Sequence, residues 1–171
     1  VIGFVLLYGV SAKMSAKQSF DGRTSQHSIQ VGGLTRTYLV HVPRKYMHGM
    51  RVAAVLMLHG AGGNAKNGLE QGKWIEKSEQ EGFIAVGLDG TLKDPSKRPN
   101  LLTNPRGWND GGLGVSDSRR NVDDVGFVNA VIDNLLQTGM VDQKRIYVTG
   151  FSKDAGKNNI VSFTILSNAF E

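Results

Sequence analysis

The chain has 171 residues, 40% hydrophobic and 20% charged, which fits one globular domain and argues against wholesale disorder. It contains no cysteine, so a disulfide framework, a thiolate zinc site and a cysteine nucleophile are excluded. The net charge of +5 comes without a recognised nucleic-acid-binding motif, and no stretch reaches the roughly 20 apolar residues that span a bilayer. We therefore predict no nucleic-acid partner and no stable membrane anchor.

The first twelve residues are largely apolar and end in small side chains. Residues 1–10 are about as long as the core of a signal peptide, and Val10-Ser11-Ala12 is the kind of tripeptide that a signal peptidase prefers. Residues 1–12 are therefore expected to be a signal-peptide remnant, and the protein to be secreted to the periplasm or the cell exterior. A buried N-terminal strand is the alternative. Residues 13–27 are expected to form a polar segment ahead of the domain.

Two strand-like runs open the predicted domain. Residues 28–31 and 34–42 are separated by a Gly-Gly pair, and in the second run Tyr38, Val40 and Val42 alternate with Thr37, Leu39 and His41. This period of two is typical of a half-buried strand, and a Gly-Gly turn between two such runs indicates a β-hairpin.

Further along, apolar runs alternate with helical patterns. Residues 52–58 and 83–88 are continuously apolar, which indicates central strands that are covered on both faces. A helix over 69–80 is predicted between them, and apolar residues from Val122 to Leu136 recur at helical spacing before a strand over 145–149. This order predicts an α/β fold with a mainly parallel sheet and helices on both faces.

A long segment rich in proline and glycine, residues 93–118, lies between the second central strand and the last helix. Loops of this length in a compact domain are usually functional or disordered. Asp123 and Asp124 follow it, and both are expected to begin the helix, where carboxylates favour the positive end of the helix dipole.

Two of the predicted strands end in sequences that could carry chemistry. The strand over 52–58 is followed by His59-Gly-Ala-Gly-Gly63, where glycines let backbone N–H groups approach developing negative charge. Taken alone, such a turn could also bind phosphate or simply reverse the chain. The last strand ends in Gly150-Phe-Ser152, half of the G-x-S-x-G nucleophile elbow. Together, in this order, the two sequences favour a serine nucleophile with an oxyanion hole.

Six blocks in order along residues 30–152 carry a family resemblance. They are GLTRTYLVHVP (33–43), LMLHGAGGN (56–64), FIAVGLDGT (83–91), GWND (107–110), DDVGF (123–127) and KRIYVTGFS (144–152). The chain resembles the polyhydroxybutyrate depolymerase and feruloyl esterase-like group of α/β-hydrolases, so residues 28–152 are interpreted as the N-terminal part of such a domain.

The resemblance implies a secreted hydrolase that cleaves carboxylic esters through a Ser-His-Asp triad, with neither metal nor cofactor. Its substrate would be a polyester or a feruloylated polysaccharide. Ser152 matches the nucleophile, while Ala61 and Lys153 match the residues whose N–H groups form the oxyanion hole. Trp108 matches a segment near the substrate cleft, although core packing is an alternative role for it.

The resemblance stops at Ser152. The second glycine of the elbow is replaced by Asp154, and residues 153–171 diverge as an out-of-frame tail would. In these hydrolases the acid and the histidine follow the serine, yet all four histidines of this chain precede it, and His59 is expected to be structural. The domain is therefore expected to be truncated after the elbow and this chain to be inactive. A serine peptidase or other acyl hydrolase of the same fold, or a non-catalytic polyester- or polysaccharide-binding protein, are the alternatives.

Overall fold

The computed structural model describes residues 18–20, 23–109, 119, 121–150 and 165–166. In chain order the elements are β1 (Gln18–Phe20), β2 (Thr24–Val31), β3 (Leu34–His41), β4 (Val52–Leu58), α1 (Ala65–Gln71), α2 (Trp74–Glu81), β5 (Ile84–Leu88), β6 (Thr91–Leu92), β7 (Arg106–Gly107), α3 (Asp124–Gln137), β8 (Val141–Gly150) and β9 (Ile165–Leu166). No helix in these ranges combines the length and the apolar character needed to cross a bilayer.

Seven strands form one mixed sheet in the order β1-β2-β3-β5-β4-β8-β9. The three central strands β5, β4 and β8 are parallel, as predicted. The strands on either side of them pair antiparallel, so the sheet is mixed and its parallel part is confined to the centre. The short strands β6 and β7 form a separate antiparallel pair.

The predicted hairpin between β2 and β3 is confirmed. Gly32 and Gly33 have φ angles of 56° and 78°, and a two-residue turn with positive φ at both positions matches the twist of the flanking strands. The strand β2 begins at Thr24, four residues earlier than expected, because Thr24 pairs opposite His41 and their side chains are hydrogen-bonded at 2.8 Å. This bond lets two polar side chains be buried at the end of the hairpin.

The single helix predicted over 69–80 is wrong, since two helices occupy residues 65–81. The break falls at Gly72 and Lys73, where Lys73 has a φ of 51° and a Cβ at position 72 would lie 2.5 Å from the indole of Trp74. The first helix begins earlier than expected because the Asn64 side chain accepts a hydrogen bond from the N–H of Asn67 and caps it.

The helices cover both faces of the sheet, as predicted. Alternate residues of the strands face opposite sides, so Leu56 packs with α3 while its neighbour Met57 packs with α1. The larger core lies under α3 and includes Phe127, Val131 and Leu135.

The chain runs from β4 to its neighbour on one side, β5, and then crosses over to its neighbour on the other side, β8. The helices α1 and α2 connect β4 to β5 on one face, and α3 connects β5 to β8 on the other. The carboxyl ends of β4 and β8 therefore flank the point where the strand order reverses. Open α/β sheets bind their ligands in the crevice at such a point.

Candidate active site

The carboxyl ends of β4 and β8 lie side by side. Leu58, the last residue of β4, pairs with Gly150, the last residue of β8. The glycine loop, residues 59–63, follows β4 directly. Ser152 and Lys153, the predicted nucleophile and oxyanion residue, lie outside the described residues, and Ser152 follows Gly150 by two positions in the sequence.

Two backbone N–H groups of the glycine loop are hydrogen-bonded to described carbonyls, whereas those of Gly60 and Ala61 have no partner among the described residues. Gly62 donates to the carbonyl of Arg106 at 2.8 Å, and Gly63 donates to the carbonyl of Gly60 at 3.0 Å. The N–H of Ala61 donates a hydrogen bond to none of the described residues, and Ala61 is exposed. Ala61, the residue that the family resemblance assigns to the oxyanion hole, is therefore an exposed residue whose N–H has no partner among the described residues.

His59 is a structural residue of this loop. It is 4% exposed, its Nε2 accepts the N–H of Gly90 at 2.9 Å, and its Nδ1 donates to the carbonyl of Gly60 at 2.7 Å. Because a backbone N–H can only donate, Nε2 carries no proton and the ring is neutral. Burial lowers the pKa of His59, which keeps it neutral. The expectation of a structural role agrees with this geometry, since Nε2 is not available as a base.

Trp108 contacts the base of the glycine loop. Its indole N–H donates to the carbonyl of His59 at 2.8 Å, and the two rings lie 5.1 Å apart between centroids. The side chain also packs against the larger core. Trp108 thus fixes the loop at the end of β4, and its predicted contact with substrate stays a prediction.

The residue pair after β5 connects three elements around the loop. One carboxylate oxygen of Asp89 accepts the N–H of Ala65 at 2.8 Å, and the other accepts the hydroxyl of Thr37 at 2.7 Å. Gly90 lies so close to β7 that a Cβ would be 2.5 Å from the carbonyl oxygen of Gly107. The hydrogen bonds of the Asp89 carboxylate were not anticipated from the sequence, because their partners lie far away along the chain.

A buried ion pair joins β3 to the start of α3. Arg36 donates to Asp124 at 2.6 Å, and their side chains are 3% and 10% exposed. The second oxygen of Asp124 accepts the N–H of Asn109 at 2.6 Å, which holds the segment after Trp108. The guanidinium also lies 4.1 Å from the centre of the Phe127 ring.

The two neighbouring aspartates therefore have different roles. Asp123 caps α3 through a 2.7 Å hydrogen bond from the N–H of Gly126, as predicted for a carboxylate at a helix start. The same interpretation of Asp124 is incomplete, because its carboxylate is buried against Arg36. A signal was present in the sequence: Arg36 has the parity of Tyr38 and Val40, so its side chain points into the core.

The described part of the long loop, residues 93–109, is closed by hydrogen bonds. The buried Asn104 side chain accepts the N–H of Asp94 and donates to the carbonyls of Asp94, Lys97 and Arg98. Hydrogen bonds from the Ser96 hydroxyl, from Lys97 and from the Ser96 N–H lower the pKa of Asp94 to about 2. The role of Asn104 was not anticipated from the sequence, where it is one polar residue among many.

Within the described ranges, no three His, Asp or Glu side chains are grouped as metal ligands. The glycine loop, which is held by His59, Trp108 and Arg106, can donate a hydrogen bond from Ala61 to a bound oxygen atom.

No family model matches the chain. A curated relative, "Putative esterase NocK" of Nocardia uniformis subsp. tsuyamanensis, is 28% identical over 138 residues, which are 78% of this chain and 35% of the relative. The chain thus spans about a third of the length of this relative. It is esterase-like in sequence over most of its length.

Solved structures show the same fold. An S-formylglutathione hydrolase from Agrobacterium tumefaciens superposes with a TM-score of 0.56 at 18% identity, covering 81% of this chain and 52% of that one. An acetyl xylan esterase from Paenibacillus sp. R4 gives a TM-score of 0.53 at 18% identity, covering 82% and 46%. The predicted α/β-hydrolase-like fold is confirmed by this likeness and by the strand order described above.

Proposed function

We propose that this chain carries the oxyanion and nucleophile part of a serine-dependent carboxylic ester hydrolase. The observation that carries the proposal is Ala61, an exposed residue in the loop after β4 whose N–H has no partner among the described residues. Gly150 at the end of β8 pairs with the last residue of β4, and Ser152 follows it in a Gly-x-Ser sequence. A nucleophile elbow takes its two oxyanion donors from these two loops.

The reaction proceeds in two steps. The hydroxyl oxygen of Ser152 attacks the ester carbonyl, and the N–H groups of Ala61 and Lys153 donate to the oxygen as it becomes negative. Each such donor contributes about 10²–10³ in rate, because it is fixed before the charge develops. The alcohol leaves with a proton, and water then cleaves the acyl-serine ester.

Proton transfer is the step that these 171 residues do not support. No histidine follows Ser152, and Nε2 of His59 is occupied by the N–H of Gly90. The two ring nitrogens of His41 are bonded to Thr24 and Glu79, and Nε2 of His27 is bonded to Ser25. His48 precedes β4, at the opposite end of that strand from the glycine loop. The proposal therefore includes inactivity of this polypeptide by itself, since an unactivated serine is a weak nucleophile.

The substrate follows from the resemblance of the sequence. The proposal favours esters of a polyhydroxyalkanoate or of a feruloylated polysaccharide, cleaved after secretion, with Trp108 near the bound ester. Support for ester chemistry in general comes from NocK, which is named as an esterase.

Chemical rescue tests the proposal. The chain and its Ser152→Ala variant would be incubated with 4-nitrophenyl acetate, with and without imidazole, and acyl-Ser152 quantified by peptide mass spectrometry. We expect equal release of nitrophenol from both proteins without imidazole, and acylation of Ser152 when imidazole supplies the base.

The variant pair Ala61→Pro and Ala61→Gly isolates the oxyanion donor. Proline removes the N–H and should lower the rescued acylation about 10²–10³-fold, whereas glycine retains it. Absence of acyl-Ser152 in the native chain with imidazole, together with nitrophenol release equal to that of Ser152→Ala, would refute the nucleophile assignment. A serine-dependent rate without imidazole would refute the inactivity.

A further inference from the structure

Two leucines at the tip of the loop between β6 and β7 are exposed to solvent, and the first of them lies beside the glycine loop. Leu101 and Leu102 are 68% and 90% exposed. The Leu101 side chain lies against the α-carbon of Gly62, where a Cβ would overlap its Cδ1. Gly62 is the residue after Ala61, so the α-carbon that Leu101 contacts lies about 3.8 Å from the α-carbon of Ala61.

The loop fixes both leucines in place. Asn100 and Asn104 exchange backbone hydrogen bonds of 3.1 and 2.9 Å, which close a five-residue turn. The side-chain oxygen of Asn100 accepts the N–H groups of Leu102 and Thr103, both at 2.9 Å. Below the turn, the buried Asn104 side chain makes four hydrogen bonds to the loop backbone. These hydrogen bonds hold the backbone of Leu101 and Leu102 in a closed turn, and both side chains are exposed there.

Exposed apolar side chains of this kind carry a free-energy cost that contact with an apolar ligand would recover. An ester whose carbonyl oxygen accepted the N–H of Ala61 would lie next to Gly62, the residue that Leu101 contacts.

We infer that Leu101 and Leu102 form an apolar lip of the ester-binding crevice and favour esters with an extended apolar acyl group over acetyl esters. The inference rests on the proposed function, because it takes Ala61 as the residue that binds the ester carbonyl. It concerns binding rather than bond cleavage, so it can be measured on the chain as it stands.

A titration followed by amide NMR separates the two claims. Methyl acetate, methyl butyrate and methyl hexanoate would be added to the ¹⁵N-labelled chain, and the amide shifts of Ala61 and of the loop 100–104 recorded. We expect affinity to rise with acyl length by up to about fourfold per methylene, which corresponds to about 0.8 kcal/mol. The double variant Leu101→Ser/Leu102→Ser should abolish this dependence while the Ala61 amide still responds to each ester.

Val125→Ser is the matched control. Val125 is 73% exposed on α3, so the substitution removes similar exposed apolar surface away from the lip and should leave the length dependence intact. The proposed lip would be overturned if affinity in the native chain did not depend on acyl length. It would also be overturned if the double variant kept the same dependence as the native chain. An Ala61 amide that responds to none of the esters would overturn the proposed function, and the lip with it.

Discussion

Alanine substitution of Asp123 and Asp124 separates two roles that look identical in the sequence. Both aspartates stand at the start of α3, and a helix-dipole interpretation gives each about 0.3–1 kcal/mol. The structure predicts a large asymmetry, because Asp123 is an exposed cap and Asp124 is half of an ion pair with Arg36.

The loss of unfolding free energy expected for Asp124→Ala follows from the burial of its partner Arg36. The Arg36 side chain is 3% exposed, so removing its partner leaves an uncompensated buried charge, which costs about 3–5 kcal/mol. The N–H of Asn109 also loses its acceptor. Two interactions of Arg36 remain, a 3.1 Å hydrogen bond to the carbonyl of Asp89 and the stacking on Phe127, and they hold the loss near the lower end of that range. Asp123→Ala removes one helix cap and should cost about 1 kcal/mol.

Urea denaturation of the native chain and of both variants measures the free energies of unfolding. A domain of this size is stable by about 5–15 kcal/mol, so Asp124→Ala could be largely unfolded at the low end. The double variant Arg36→Met/Asp124→Leu should recover part of the loss, since it removes both charges together. Equal losses of under 1 kcal/mol for the two single variants would refute the buried pair and return Asp124 to the dipole interpretation.

Two further predictions concern the glycine loop and the helix break. Burial holds the pKa of His59 below its ordinary 6.5, so the stability that it contributes is complete above about pH 6.5 and is lost as the pH falls below that value. Urea midpoints from pH 7.5 to 5 should therefore fall more steeply in the native chain than in His59→Asn, and parallel slopes would contradict this. Lys73→Gly should stabilise the fold by about 0.5–1 kcal/mol, because it relieves a left-handed φ of 51°. Lys77→Gly, within α2, should destabilise the fold, and thermal unfolding of both variants measures the two effects.

The strands could be predicted because their patterns are local. The apolar run of β4 matches the predicted bounds, and the Gly-Gly pair specifies the hairpin turn. The antiparallel pairing of β3 with β5 could not be predicted, since it depends on which edge the hairpin occupies. The break between α1 and α2 was not predicted, because glycine inside a helix only weakens it. The packing of Trp74 against Gly72, which accompanies the break, is visible only in the structure.

The order of the two loops in the sequence was enough to propose where the candidate site lies. The residues that hold the glycine loop in place could not be predicted. The glycine loop could be proposed because glycines after a buried strand are a short-range signal, and Ala61 within it was assigned from the family resemblance. The hydrogen bonds from Trp108 and Gly90 to His59 join residues far apart in sequence, so no local pattern contains them. Arg36 and Asp124 are likewise 88 positions apart, and their pairing follows from packing of α3 on β3.

The pairing of β4 with β8 also determines when the candidate site can be assembled during synthesis. The hairpin of β2 and β3 can close as soon as its turn has emerged from the ribosome, but β8 reaches β4 after the whole helical crossover and the loop have been made. Until then one edge of β4, an apolar strand, has no partner, and such edges associate with other chains. The glycine loop and the end of β8 thus come together through the strand pair that is most distant in sequence among the described pairs, so aggregation should compete with this pairing more than with formation of the hairpin.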